Sequence, residues 1–253
     1  KIAFGVGMLA NQMFPAALGV FIIVLVQDLG FAALLWGIIQ FAPRVFDAIT
    51  DPIMGFISDN TKSKWGRRRQ YVFIGGILMG IAYIAMWQIH RDNGILFNFI
   101  YFFLWSLVFY LGLTIFSVPY VAMGYEISED YHERTQIMAI AQFIGQWAWV
   151  IAPWFWVILY DPEWFPIGAD QGVRELSVWV AISCTLFAII PALCLKSKST
   201  LNHTDFLPIN AKYVLKSTRG IFISAFEAFK IKQFRKIAFA TFLIFNSFNV
   251  IAP

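Results

Sequence analysis

The sequence predicts an all-α membrane protein of several spans, and three observations lead there. Of 253 residues, 59% are hydrophobic and 13% charged, with a mean hydropathy of +0.67. A water-soluble domain of this length could not cover that balance with polar surface. Apolar stretches of about 18 residues or more recur along the chain, each long enough to cross a hydrocarbon core of about 30 Å as a helix. Basic residues collect in alternate connections between these stretches, as they do on the inner side of multi-span proteins.

Taken in order, the first span runs from Ile2 to Val26 and ends before a turn around Asp28. The second, Phe31 to Ile57, stops where "SDNTKSKWGRRR" becomes polar, and the third, Tyr71 to Ile89, stops at "HRDNG". The fourth, Ile95 to Met123, precedes the acidic "GYEISEDYHERT"; the fifth, Ile137 to Leu159, precedes "YDPEWFPIGADQGVRE". The sixth, Leu176 to Leu195, opens into a basic linker. A seventh begins near Ile237 and is still apolar at Pro253, and the chain starts without a Met or a signal-peptide pattern. The expected organisation is therefore a six-helix bundle over 1–195, a linker over 196–236 and the beginning of a seventh span over 237–253. On this reading the chain is the front half of a longer polypeptide.

Topology follows from charge. Lys62, Lys64, Arg67, Arg68 and Arg69 lie between spans two and three, Arg134 precedes span five, and nine cations from Lys196 to Lys236 crowd the linker. The intervening connections hold only Arg91 and Arg174 against six acids. The first residue, the basic loops and the linker are thus expected on the cytoplasmic side of a plasma or inner membrane. The pI of about 9.1 arises from these loops and reads as orientation and contact with anionic lipid, not nucleic-acid binding.

Span two breaks its own pattern. Arg44, Asp47 and Asp51 are spaced i, i+3 and i+7, so they project from one helix face with Thr50 beside them. An ionised group in a span costs at least about 2.5–3.5 kcal/mol on insertion scales, so such groups pair, face a cavity, or do both. One guanidinium cannot neutralise two carboxylates. A monovalent cation or a proton would complete the site, and oxygen ligands suit a hard ion such as Na⁺ as well as a shared proton. The competing reading is a static network that joins span two to a neighbour.

Other chemistry is thin. Cys184 and Cys194 both fall in span six and read as packing residues. His90, His132 and His203 have no ligand-spaced partners and read as surface residues. The "NHT" at Asn202 fits a glycosylation pattern by chance, since it falls on the inner side. No HExxH, GxSxG or paired His and Cys in a span supports a membrane enzyme, and no pore loop or charged ring supports a channel. No cofactor is expected beyond the coupling ion, Na⁺ or H⁺.

After span two, Gly55, Asp59, Gly66, Arg67, Arg68 and Arg69 form a G-x-x-x-D … G-R-R loop, and "FDAITDPIMGF" lies directly before it. The loop resembles the cytoplasmic signature of the major facilitator superfamily. With "SVPYVAMGYEISEDYHERT" after span four and "FKIKQFRKI" before span seven, the chain resembles the glycoside-pentoside-hexuronide:cation symporter family, the melibiose permease-like group. That resemblance implies a twelve-helix fold of two six-helix halves, each made of inverted three-helix repeats, with a central site open alternately to either side. Its cation-binding positions match Asp47, Asp51, Thr50 and Thr114, with Thr50 standing where the melibiose permease has asparagine, and Arg44 is the charge partner. Its sugar positions match Asn11 or Gln12, Ser117 and Gln142, so every charge there has become an amide or hydroxyl and a melibiose-like galactoside is disfavoured.

Gln142, Gln146 and Trp149 recur along one face of span five and are candidates for holding a neutral sugar through amides and a stacked ring. Interhelical packing is the competing role for them. Trp87, Trp154, Trp156 and Trp164 read as an interfacial belt. Asp59 and Arg67 to Arg69 are implied to form a cytoplasmic gate latch, with Glu126, Glu129, Asp130 and Glu133 as acidic partners or merely a solvated loop. Phe222, Phe226 and Phe229 among cations read as an amphipathic linker helix on the inner membrane surface. The function expected is cation-coupled symport of a sugar or glycoside, with a lysolipid or other amphiphile as the alternative cargo; the partners are that solute, membrane lipid and the second half of the polypeptide.

Overall fold

A computed structural model describes residues 1–166, 168–195, 200 and 206–251, with the side chains of 211 and 245–251 outside the description. Asn202, His203 and the linker residues 196–199 lie outside the described residues. Those described form eight α-helices: α1 (Ile2–Gln27), α2 (Ala33–Asp59), α3 (Arg69–Met86), α4 (Ile95–Glu126), α5 (Tyr131–Leu159), α6 (Ala169–Cys194), α7 (Ala211–Lys230) and α8 (Lys232–Ile251). Among the described residues, α1, α3, α4, α5 and α6 are long and apolar enough to cross a membrane. Six complete spans are expected from the sequence, and α2 is the sixth helix of the set. Its 27 residues give about 40 Å at 1.5 Å per residue, but Arg44, Asp47 and Asp51 dilute its apolar run.

The chain divides into two compact units, Lys1–Phe206 and Leu207–Pro253. Within the first unit, Thr200 docks on the α2–α3 loop. Its N–H donates to the Ser63 carbonyl at 3.1 Å, its Oγ1 accepts from the Ser63 N–H at 3.1 Å, and Oγ1–H donates to the Thr61 carbonyl at 3.2 Å. In the second unit, α8 begins at Lys232, ahead of the apolar segment near Ile237, since a helix does not end where its sequence turns polar.

Within the first unit α5 packs along α1, α2 along α4, α3 along α4, α6 along α1, and α3 along α6. Exchanging α1 with α4, α2 with α5 and α3 with α6 maps this set of pairs onto itself. Each repeat has three spans, so the second begins on the opposite side from the first. The bundle is thus the inverted pair of three-helix repeats of the major facilitator fold.

Lipid is as apolar as leucine, so the bundle is held by close packing. Gly75 and Gly112 let the backbones of α3 and α4 approach: a Cβ on Gly75 would sit 2.5 Å from the Phe116 nitrogen, and one on Gly112 would sit 2.8 Å from the Met79 nitrogen. α5 presents Ala141, Gly145, Ala148 and Ala152 as a buried small-residue stripe. An aromatic cluster of Phe14, Phe21, Tyr83, Trp87, Phe102 and Phe109 fills the centre, with ring centroids 5.1–6.3 Å apart. Trp87 is therefore not a belt residue. It caps α3 with no exposed surface, whereas Trp154 and Trp164 are exposed.

Side-chain bonds define the two ends of the bundle. At one, Arg91 pairs with Asp28 (3.3 Å) and Asp170 (3.7 Å), and Tyr160 donates to Asp28 at 2.8 Å. Burial and that hydrogen bond raise the Tyr160 phenol above its usual pKa, so it stays protonated as the donor. The other end holds the chain start, the α2–α3 and α4–α5 loops and the end of α6. There Asp130 caps α5 by accepting from the His132 and Glu133 N–H groups.

Candidate functional site

The ionisable stripe of α2 lies against α4. Asp47 is half-buried and its Oδ1 has no hydrogen-bond partner among the described residues, while Arg44 sits 4.0 Å from the other carboxylate oxygen. The Arg44 guanidinium lies over the Tyr110 ring, 5.6 Å from its centroid. That contact from α4 turns the cation toward the helix pair. Arg44 remains largely exposed, so it does not close the site.

One turn further, Thr114 on α4 donates its hydroxyl hydrogen to Asp51 Oδ1 at 2.8 Å, and Thr114 is only 3% exposed. Thr50 donates to the Phe46 carbonyl at 3.1 Å, the route by which a threonine inside a helix satisfies its hydroxyl. The two threonine oxygens are 3.4 Å apart. Either hydroxyl could donate across that gap, with the Phe46 carbonyl as the other acceptor for Thr50 and Asp51 as the other acceptor for Thr114. The two hydroxyls sit beside a carboxylate already oriented by a hydrogen bond, and each oxygen has lone pairs left for a further partner. Asp51, Thr114 and Thr50 thus form a cluster of hard oxygen donors, with Asp47 one turn away and short of a partner. All four predicted cation residues fall at the α2/α4 contact. Tyr110 was not legible from the chain, because its partner Arg44 lies far away in sequence.

The predicted solute residues gather less completely. Trp149 Nε1 donates to Gln12 Oε1 at 3.2 Å, joining α5 to α1. Asn11 Nδ2 reaches only Met8 Sδ, at 3.7 Å. Gln142 and Gln146 share the exposed face of α5 with Trp149, and Gln142 lines an open recess of about 500 Å³ with Tyr125, Tyr131 and Arg134. Ser117 is half-buried on α4. The repeat exchange that carries α2/α4 into α5/α1 relates a helix contact bearing carboxylates and hydroxyls to one bearing an amide and an indole.

The predicted latch residues converge. Arg68 pairs with Asp59 and with Glu126 (2.9 Å) and donates to the Ala122 carbonyl at 2.7 Å. Arg67 also pairs with Glu126. Burial, then the neighbouring Arg68 charge, hold the Arg67 guanidinium below its usual pKa, with Asp59 opposing them. Arg69 donates to the Ala192 carbonyl at the end of α6, 2.8 Å away. Gly66 has φ 86°, a left-handed conformation that favours glycine. Gly55 is different: a Cβ there would meet only Val118, at 3.9 Å, and nothing in the structure explains its glycine. Of the four acids expected as partners, Glu126 takes the arginines, while Asp130 is spent on its cap and Glu133 accepts from Ser128. Among the described residues no group of His, Cys, Asp and Glu has the arrangement of a metal site.

The chain belongs to the MFS/sugar transport protein family, whose pattern matches residues 3–198. That is a family of membrane transporters, and the relatives are symporters and permeases, not enzymes. The chain is 28% identical over 204 residues to an uncharacterized symporter of Synechocystis sp., covering 78% of this chain and 37% of that protein. It is 29% identical over 167 residues to a lactose permease of Lactobacillus helveticus, covering 63% and 26%. It is also 33% identical over 152 residues to the sodium-dependent lysophosphatidylcholine symporter 1 of Mus musculus, covering 55% and 27%. The chain therefore spans between 26% and 37% of the length of these curated relatives.

Proposed function

We propose that this chain supplies the cation-binding bundle of a symporter that moves a sugar or glycoside by alternating access, with a second bundle of the same polypeptide completing the solute pocket. One observation carries the reading: the Asp51, Thr114 and Thr50 oxygens meet at the α2/α4 contact, beside a half-buried Asp47 that Arg44 neutralises only loosely. The cluster is unfinished without a cation. Asp47, Asp51, Thr50 and Thr114 bind Na⁺ or H⁺, and Arg44 balances the remaining charge. A static network would consume its charges internally, and Asp47 Oδ1 remains unpartnered.

Coupling follows from charge. The bound cation cancels the excess negative charge of the site, so ion and solute each bind more tightly when the other is present, and the loaded carrier moves both together. Gln12 with Trp149, and then Gln142, Gln146, Asn11 and Ser117, present neutral donors and acceptors suited to sugar hydroxyls, with an indole face for a pyranose ring. The lactose permease relative supports this cargo, and the lysophosphatidylcholine relatives support the amphiphile alternative. The Asp59, Arg67, Arg68 and Arg69 cluster, with Gly55 and Gly66, forms the cytoplasmic latch; the chain start faces the cytoplasm of a plasma or inner membrane, and the α7 face of Phe222, Phe226 and Phe229 rests on its inner surface.

The test is uptake of a panel of radiolabelled glycosides into vesicles holding the full-length protein, with a Na⁺ gradient, a proton gradient or neither, for wild type and Asp51→Asn. Concentrative uptake that needs one gradient and disappears in the variant is the expected result. Uptake indifferent to both gradients and to the substitution refutes the cation assignment, and uptake of a lysolipid but no glycoside moves the cargo to the alternative.

A further inference from the structure

Away from the Arg69–Ala192 contact, helices α3 and α6 meet along a seam whose residues take no part in the cation cluster, the amide cluster or the arginine latch. Along its middle is an apolar crevice of about 220 Å³ bounded by Ile77, Gly80 and Ile84 of α3 and Ala181, Ile182 and Leu186 of α6. Gly80 lets α3 and α6 approach at the floor of this crevice, since a Cβ there would run into the Thr185 side chain. From Ile84 to Ile77 it extends about 10 Å at 1.5 Å per residue, most of the depth of one leaflet of about 15 Å.

One turn beyond, where both helices reach the end of the bundle, the seam opens into a polar recess of about 550 Å³ lined by Gln88, His90, Gln171, Arg174, Glu175 and Val178. Gln171 Nε2 donates to Glu175 Oε1 at 2.7 Å, which fixes the amide, and its Oε1 is buried with no partner. A buried acceptor beside a carboxylate asks for a cationic N–H donor. Arg174 spends Nη1 on the Ile89 carbonyl at 2.8 Å and on Asp170 at 3.6 Å; the rest of its guanidinium makes no hydrogen bond among the described residues. It supplies donors for an anion within the same recess.

We propose that the α3/α6 seam is a resident phospholipid site, selective for a headgroup that carries a primary amine. An acyl chain fills the crevice, the phosphate meets Arg174 and His90, and the ammonium donates to Gln171 Oε1 and Glu175. A quaternary ammonium has no N–H to give, so the site discriminates ethanolamine from choline headgroups by hydrogen bonding.

Native mass spectrometry of the purified full-length protein, titrated with phosphatidylethanolamine, phosphatidylcholine and phosphatidylglycerol of matched acyl chains, tests this. The expected result is about a tenfold preference for phosphatidylethanolamine over phosphatidylcholine, the scale of one charge-assisted hydrogen bond. Gln171→Met and Glu175→Gln each erase that preference while leaving the circular dichroism spectrum and the thermal midpoint unchanged. Equal binding of the two lipids, or a preference that survives both substitutions, overturns the proposal. Phosphoethanolamine without acyl chains displaces no lipid if the crevice holds the chain; full displacement by it assigns the recess to a soluble ligand and also overturns the proposal.

Discussion

Replacing Thr114 by valine deletes the hydroxyl that orients Asp51 and leaves the side-chain shape nearly unchanged. Thr114 is 3% exposed and its bond to Asp51 Oδ1 is 2.8 Å, while Asp51 itself is exposed, so water can replace the lost donor only from the open side of the carboxylate. A hydrogen bond to a charged partner contributes about 1.5–3 kcal/mol. The donor serves the empty carboxylate as well as the occupied one, so much of that cancels when affinities are compared. What does not cancel is the missing ligand oxygen, which places the expected loss near the lower bound, about tenfold in cation affinity. The assay is calorimetric titration of Na⁺, and of solute at fixed Na⁺, into the detergent-purified full-length protein for wild type, Thr114→Val and Thr114→Ser. Valine weakens the cation about tenfold and serine restores it to within about threefold. If valine binds the cation as tightly as wild type, the oxygen cluster is not the site.

Three further outcomes follow from the packing and the bonds. Arg68→Ala breaks three contacts around a side chain that is 11% exposed; with partners half in solvent the loss is about 1–3 kcal/mol, read as a lower thermal midpoint in a thiol-dye melt, and an unchanged midpoint contradicts the latch as a stabilising element. Gly75→Ala drives a methyl into the α4 backbone at Phe116 and costs about 1–3 kcal/mol or more, while Gly19→Ala, with nothing within 4 Å, is neutral; equal melts for the two would refute the close α3/α4 approach. Trp149→Phe keeps a ring but loses the Nε1 donor to Gln12, so solute KM rises about two- to tenfold with cation affinity unchanged, and a change confined to the cation would displace Trp149 from the solute side.

The parts of this fold that were legible are those set by periodicity along one helix. Spans could be counted from hydropathy, and Arg44, Asp47, Thr50 and Asp51 could be placed on one face by spacing alone. Thr114 entered through family resemblance, because nothing local marks one threonine in an apolar helix as a ligand. Contacts between distant segments were not legible in the same way. Trp87 reads as an interfacial tryptophan until Phe21, Tyr83 and Phe102 are seen to enclose it. Glu126 looks no different from Glu129 or Glu133 until the end of α4 meets the α2–α3 loop. The exchange that relates α2/α4 to α5/α1 is a property of helix pairing, and like Thr114 it entered through family resemblance before the contacts displayed it.

The central claim is that the α2/α4 oxygen cluster carries the coupling cation, and the most direct measurement is cation flux itself. Proteoliposomes of the full-length protein would be loaded with solute gradients, and the entry of radioactive sodium and of protons counted alongside solute for wild type and Asp51→Asn. One cation species moving with the solute in a fixed ratio, and lost in Asp51→Asn while solute exchange between equal pools persists, is the predicted result. Solute movement accompanied by neither cation, or cation movement that Asp51→Asn leaves intact, would contradict it.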